Sequence, residues 1–139
     1  MRIKPEQLDQ SLEKSNPGIL IISGNEPLLV QEASDQIRSY CRRQGFSERL
    51  SYQAGKGFDW SVLDEHCQSF SLFGDKKLLE IQLATLPSEQ GKERLKRWVE
   101  KPPEDCCLLL TSDKLESKTL NTKWFKALES ASLHIQIWP

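Results

Sequence analysis

The chain has 139 residues, 37% of them apolar and 28% charged, which suits one domain with its own core and is too short for two. Those proportions exclude a disordered chain and a membrane-embedded one. A formal net charge of −1 supplies no field that would draw the protein onto DNA, RNA or an anionic membrane, so DNA is expected to meet it only indirectly.

The opening residues, Met1-Arg2-Ile3-Lys4-Pro5-Glu6, lack the apolar core of a signal peptide. The longest apolar run, around Leu108, Leu109 and Leu110, falls far short of the ~18–20 residues that cross a bilayer. A cytoplasmic protein is expected, with no membrane partner.

Residues 5–13 read as a short leading helix with Leu8 and Leu12 at helical spacing. Ile19-Leu20-Ile21-Ile22 is continuous rather than alternating, the pattern of a strand buried on both faces. The period then changes: Leu29, Ala33, Ile37 and Tyr40 or Cys41 fall on one helical stripe, and Gly45 ends that helix. Residues 50–54 form the second strand, and 58–70 a helix with Leu63, Cys67 and Phe70 at i, i+4 and i+7. Residues 78–83 form the third strand. A polar helix over 89–101 is stopped by Pro102-Pro103. Residues 106–111 are the fourth, central strand. The spacing predicts one helix over 119–130 with Leu120, Trp124 and Leu128 on its stripe, then an alternating fifth strand over 133–137.

Strand and helix alternate with connections that only helical crossovers fit, so the expected fold is α/β, a doubly wound five-stranded parallel sheet with helices on both faces. The chain stops at Trp138-Pro139 just after an apolar strand, and the expectation is that residues 1–139 are the first domain of a longer protein.

In open α/β sheets ligands bind beyond the carboxyl ends of the strands, and the turn after the first strand is the favoured phosphate cradle. Here that turn begins Ser23-Gly24-Asn25-Glu26-Pro27. Aligned from Gly24 on the phosphate-loop pattern Gly-x4-Gly-Lys-Ser/Thr, the second Gly, the Lys and the hydroxyl are replaced by Leu29, Val30 and Gln31. Lysine would neutralise the phosphates and the hydroxyl would hold Mg²⁺, and valine and glutamine do neither. Glu26 repels phosphate, Pro27 lacks an amide proton, and no Asp-Glu pair ends the third strand. The loop keeps a nucleotide-binder's position without its chemistry, so no cofactor is expected. Its plainer reading is a tight turn, with Asn25 as helix N-cap. Asp113, just past the fourth strand, faces a ligand or caps a turn with Ser112.

Other constellations are weaker. Cys41, Cys67, Cys106 and Cys107 have no Cys-x2-Cys spacing and no nearby His cluster, so they are expected to be buried reduced thiols and no metal is expected. His66 and His134 stand isolated in the sequence, with surface or structural roles. The mixed-sign run Lys92-Glu93-Arg94-Leu95-Lys96-Arg97 is a solvated helix face. No Ser-His-Asp or paired-carboxylate arrangement follows from spacing.

One placement is unusual. In Phe70-Ser71-Leu72-Phe73-Gly74-Asp75, two large apolar residues precede a helix-ending glycine, where a core has little use for them. If the helix persists, Leu72 lies about 200° around from Phe70 and away from the core stripe. Leu72 and Phe73 either anchor a partner's pocket or fold back under the loop.

The segment 18–30, with Gly24-Asn25-Glu26-Pro27-Leu28-Leu29 at its centre, resembles the delta subunit family of bacterial DNA polymerase III, the clamp-loader wrench, in which a defunct loop of this form follows the first strand. Gln68-Ser69-Phe70-Ser71-Leu72-Phe73 is similar to the family's clamp-binding element. The 108–115 segment and Trp124-Phe125 extend the resemblance to essentially the whole chain. It implies an ATPase-like (AAA+) first domain that binds no ATP, with two further domains that include the collar.

The resemblance also implies that Leu72 and Phe73 insert into a hydrophobic pocket of the β sliding clamp and help open the ring for loading onto DNA in replication. Phe70 and Ser71 are candidate supporting contacts. The other loader subunits, delta prime and tau/gamma, are the implied partners, mainly through the further domains. The holoenzyme would be a nucleotidyltransferase to which this subunit adds no catalysis of its own. The competing reading from another class is a nucleotide-dependent α/β enzyme with a degenerate phosphate loop.

Overall fold

A computed structural model of the protein describes residues 1–15, 17–67 and 76–137, with only the backbone of His66 and Cys67 included. In chain order the elements are β1 (Arg2–Ile3), a 3-10 turn (Pro5–Gln7), α1 (Leu8–Ser15), β2 (Ile19–Ser23), α2 (Pro27–Arg43) and β3 (Glu48–Ala54). Then come α3 (Val62–Cys67), β4 (Lys77–Leu83), α4 (Glu89–Glu100), β5 (Cys106–Ser112), α5 (Ser117–Leu120), α6 (Lys123–Ser130) and β6 (Leu133–Gln136). The strands make one sheet in the order β1-β6-β2-β5-β4-β3, every pairing parallel.

The continuous apolar strands split their side chains between the two faces, as a covered sheet requires. Leu20 and Ile22 of β2 join Cys107 and Leu109 of β5 beneath α1 and α2, where Leu8, Leu12, Ala33 and Ile37 close over them. Ile19, Ile21, Leu108 and Leu110 face the other way, against Leu63 of α3, Leu95 and Trp98 of α4, and Phe125 and Leu128 of α6. Gly45 ends α2 as expected: at φ +95° it lets the Phe46 amide turn back to the Cys41 carbonyl at 2.9 Å.

The sheet has six strands, not five. Two residues are too few to show a period, and β1 exists because the His134 amide donates to the Met1 carbonyl at 2.8 Å and Arg2 pairs with His134 along the edge. The helix expected over 58–70 starts only at Val62. Asp59 Oδ1 accepts the Ser61 amide at 3.0 Å, making a turn, while Phe58 packs edge-on to the buried Trp60 with ring centroids 5.2 Å apart. The end of that prediction, Phe70 with it, lies outside the described residues.

The helix expected over 119–130 is two helices, broken at Asn121 and Thr122, where Thr122 Oγ1 bonds the Thr119 carbonyl at 2.6 Å. The break resets the phase. Phe125 goes to the core, at 3% exposure, while Trp124 is only half-buried.

Gly91 in α4 has a packing reason. A Cβ there would lie 2.6 Å from Trp60 Cε2 and 2.7 Å from its Nε1, and Trp60 is buried. In an open helix glycine to alanine gains ~0.5–1 kcal/mol. Here Gly91→Ala is expected to reverse that sign and cost ~1–3 kcal/mol through overpacking, read as a lower urea midpoint with far-ultraviolet circular dichroism unchanged.

Candidate functional site

The turn between β2 and α2 sits at the carboxyl end of the sheet, beside the ends of β5 and β6. Two of its backbone groups are committed to neighbouring strands. The Gly24 amide donates to the Ser112 carbonyl at 3.2 Å, and the Ile137 amide donates to the Ser23 carbonyl at 2.8 Å. Pro27 takes the first helical position and has no proton to give.

The N-cap of α2 is Glu26, not Asn25, and its side chain makes no capping bond. Proline at the first turn fixes where the helix can begin, so the cap falls on the residue before it. The exposed Asn25 and Glu26 are followed by Leu28 and Leu29, 68% and 39% exposed. An apolar, acidic mouth with its glycine amide occupied is a poor seat for a phosphate.

Gly24 itself has a reason unrelated to phosphate. A Cβ there would stand 2.7 Å from Ile137 Cβ and 2.9 Å from the Ile137 carbonyl oxygen. The glycine lets the end of β6 close against the turn. A cavity of about 380 Å³ opens nearby, between Ser23, Lys114, Glu116, Leu120, Gln136 and Ile137. Of Gly24, Asn25, Glu26 and Pro27, none lines it.

The carboxylates near the sheet are also taken. Glu80 of β4 is buried and held by Arg38 through two bonds of 2.7 and 2.9 Å, and by Arg49 at 2.5 Å. Its hydrogen bond to Glu80 raises the Arg38 pKa above the ordinary value. Asp113 caps its own turn, accepting the Lys114 amide at 2.8 Å, so of its two readings the turn holds. Cys41, Cys106 and Cys107 are buried and outside any disulfide, and no metal-ligating cluster occurs among the described residues.

His134 is not isolated. It is fully buried, its Nε2 2.7 Å from Ser23 Oγ and its Nδ1 2.6 Å from Glu129 Oε2. Arg2 Nε donates to the same Glu129 oxygen at 2.7 Å. Burial pushes the imidazole below its ordinary pKa against the pull of Glu129. Burial opposes ionisation of Glu129, but hydrogen bonds from Arg2 and His134 outweigh it and hold that carboxyl below its ordinary value.

A hydroxyl, imidazole and carboxylate in a row is also how acyl-transfer enzymes activate serine. Here Ser23 is 2% exposed, and the neighbouring Gly24 amide, which would steady an oxyanion, is bonded to Ser112. The row is a structural tie joining β1, β2, α6 and β6. Glu129 precedes His134 by five residues, across a turn into a strand, a spacing with no helical or strand signature.

Leu72, Phe73, Phe70 and Ser71 lie outside the described residues. The mixed-sign run on α4 is a solvated face as expected, with Arg97 on Glu93 at 3.0 Å and Arg94 paired to Asp64.

Fold and site together define a doubly wound α/β domain of nucleotide-binder architecture whose phosphate loop is closed by its own neighbours. Residues 20–137 match the family model for DNA polymerase III, delta subunit, and the chain belongs to that family. It is 30% identical over 136 residues to the DNA polymerase III subunit delta of Escherichia coli K12, and 32% identical over 127 residues to that of Haemophilus influenzae Rd. These alignments cover 97% and 91% of this chain but 40% and 37% of those proteins, so the chain spans well under half of each relative.

Among solved structures, the Bacillus subtilis DNA clamp loader delta protein superposes with a TM-score of 0.69 at 16% identity, over 96% of this chain and 42% of that one. A DNA polymerase III gamma subunit-related protein from Thermotoga maritima superposes with 0.62 at 15% identity, over 99% and 46%. At those identities the likeness is one of fold.

Proposed function

We propose that this chain is the ATPase-like first domain of a clamp-loader delta subunit, which binds the β sliding clamp through Leu72 and Phe73 and helps open the ring for loading onto DNA. The observation that carries the reading is the closed loop in a member of the delta family. Gly24 is fitted to Ile137 and its amide is spent on Ser112, so the domain has no phosphate chemistry there and acts through a surface. Assembly with delta prime and tau/gamma would run through further domains beyond residues 1–139, DNA would be met indirectly, and the protein would work in the cytoplasm. Among the described residues no helix is long and apolar enough to cross a membrane.

The test is surface plasmon resonance of the protein over immobilised β clamp. Saturable binding supports the reading, and its absence at tens of micromolar removes it. The rival, a nucleotide-dependent enzyme, is separated by calorimetry with ATP and Mg²⁺. No heat of binding is expected up to about millimolar ATP, because the loop carries no lysine, its Gly24 amide is bonded to Ser112 and Glu26 repels the phosphates. Micromolar ATP affinity would restore the enzyme reading.

A further inference from the structure

The terminal amino group of Met1 is built into the fold, independently of the clamp reading. Met1 Nα donates to the Glu129 carbonyl at 2.6 Å and to the Ser132 carbonyl at 2.7 Å, at the end of α6 and the turn that leaves it. The last carbonyls of a helix have no acceptor's partner inside it, and the negative end of the helix dipole favours a cation there. Met1 therefore caps α6 from the other end of the chain. Neighbouring groups tie the same corner. The Met1 carbonyl accepts the His134 amide at 2.8 Å, Arg2 Nε bonds Glu129 Oε2 at 2.7 Å, and Ile3 is buried in the core with Leu8 and Leu12.

The number of N–H groups on that nitrogen decides whether both bonds form. An ammonium has three and a neutral amine has two. Burial, opposed by Glu129, pushes the group below its ordinary pKa of 8.0, but either form fills both carbonyls. An acylated nitrogen is an amide with one N–H and no charge. It keeps one bond and gives up the other. Met1 is 58% exposed, so the terminus is reachable from solvent.

The geometry points to Met1 Nα as a modification site: a free amino group latches β1 to β6 and α6, and an acyl group of the formyl or acetyl class releases the strand. Transfer from an acyl thioester to the amine puts an N–C(=O) bond in place of one N–H, the proton leaving with the thiol. Hydrolysis by water returns the amine and the carboxylic acid. With β1 released, β6 becomes the sheet edge and its His134 amide loses its partner.

The test joins synthetic residues 1–40 to expressed residues 41–139 at Cys41 and compares four full chains, with Met1 Nα free, methylated, dimethylated or acetylated. The first two carry at least two N–H groups and the last two carry one. Hydrogen exchange followed by nuclear magnetic resonance is expected to show the His134 amide exchanging at least about tenfold faster in the dimethyl and acetyl chains, with the methyl chain like the free one and the Leu109 amide unchanged in all four. Unchanged His134 exchange in the acetyl chain would overturn the proposal. So would equal loss in the methyl chain, which means that the corner rejects bulk, or a dimethyl chain as protected as the free one, which means that charge and not N–H count holds the strand. Acceleration that extends equally to Leu109 is general destabilisation and is equally fatal.

Discussion

Leu72→Ala combined with Phe73→Ala is expected to weaken binding to the β clamp by about a hundredfold or more, while the far-ultraviolet spectrum and melting temperature stay where they were. Apolar and aromatic anchors in a partner's pocket typically cost ~2 kcal/mol or more each on truncation, and every 1.4 kcal/mol is about tenfold in affinity. The pair precedes Gly74-Asp75, a helix-stopping sequence that leaves little core for side chains to join. Phe70→Ala serves as the internal contrast. By sequence spacing it falls at i+7 from Leu63, which is 1% exposed, so the expectation is that its loss lowers stability more than clamp affinity. If Leu72 and Phe73 instead fold back under the loop, the double variant melts lower and keeps its affinity once refolded. Unchanged affinity in resonance sinks the anchor assignment whatever the melting curve does.

How legible this was depended on the range of the interaction that fixed each feature. Runs such as Ile19-Leu20-Ile21-Ile22 and Cys106-Cys107-Leu108-Leu109-Leu110 carry their own evidence, because only a strand covered on both faces is apolar at every position. Those runs, and the helical stripes between them, were enough for a parallel doubly wound sheet. Features set by one distant contact were not visible. β1 depends on the His134 amide reaching the Met1 carbonyl. The late start of α3 is set locally, by Asp59 binding the Ser61 amide and Phe58 packing against Trp60 two residues on, a turn that the apolar spacing of the helix does not encode.

The site divided along the same line. Loss of Lys and Ser/Thr from the phosphate pattern is a local fact and was read directly. Gly24 looked like a remnant of that pattern until Ile137 was found against it, a contact 113 positions away that no spacing encodes. Phase errors came from breaks. Extrapolating one helix through Asn121-Thr122 put Trp124 on the buried stripe, whereas a fresh start at Lys123 gives the core to Phe125 and leaves Trp124 half-buried.

His134→Gln is expected to cost ~1–3 kcal/mol at pH 7 and, more tellingly, to flatten the stability curve between about pH 7 and 5. The variant disturbs bonds to Ser23 and Glu129 in a buried setting, where a polar group left unpaired costs ~1–3 kcal/mol. The pH sign follows from the direction of the shift. Burial holds the folded imidazole below its ordinary 6.5, so as pH falls through that value the unfolded chain takes up a proton that the folded one refuses. Stability present above about pH 6.5 is therefore lost on acidification, by at most about 1.4 kcal/mol per pH unit for one proton. Glu129 adds a second window of the same sign. Its carboxyl is held below 4.5 by Arg2 and His134, and its contribution is kept above that pH and lost beneath it. Urea midpoints measured from pH 8 down to about pH 3 should fall in two steps in the native sequence. In His134→Gln the upper step should disappear while the lower one shrinks, because Arg2 still bonds Glu129 at 2.7 Å. An upper step that survives the substitution would mean that His134 is not the group taking up the proton, and that its bonds to Ser23 and Glu129 tie the sheet edge without tuning it.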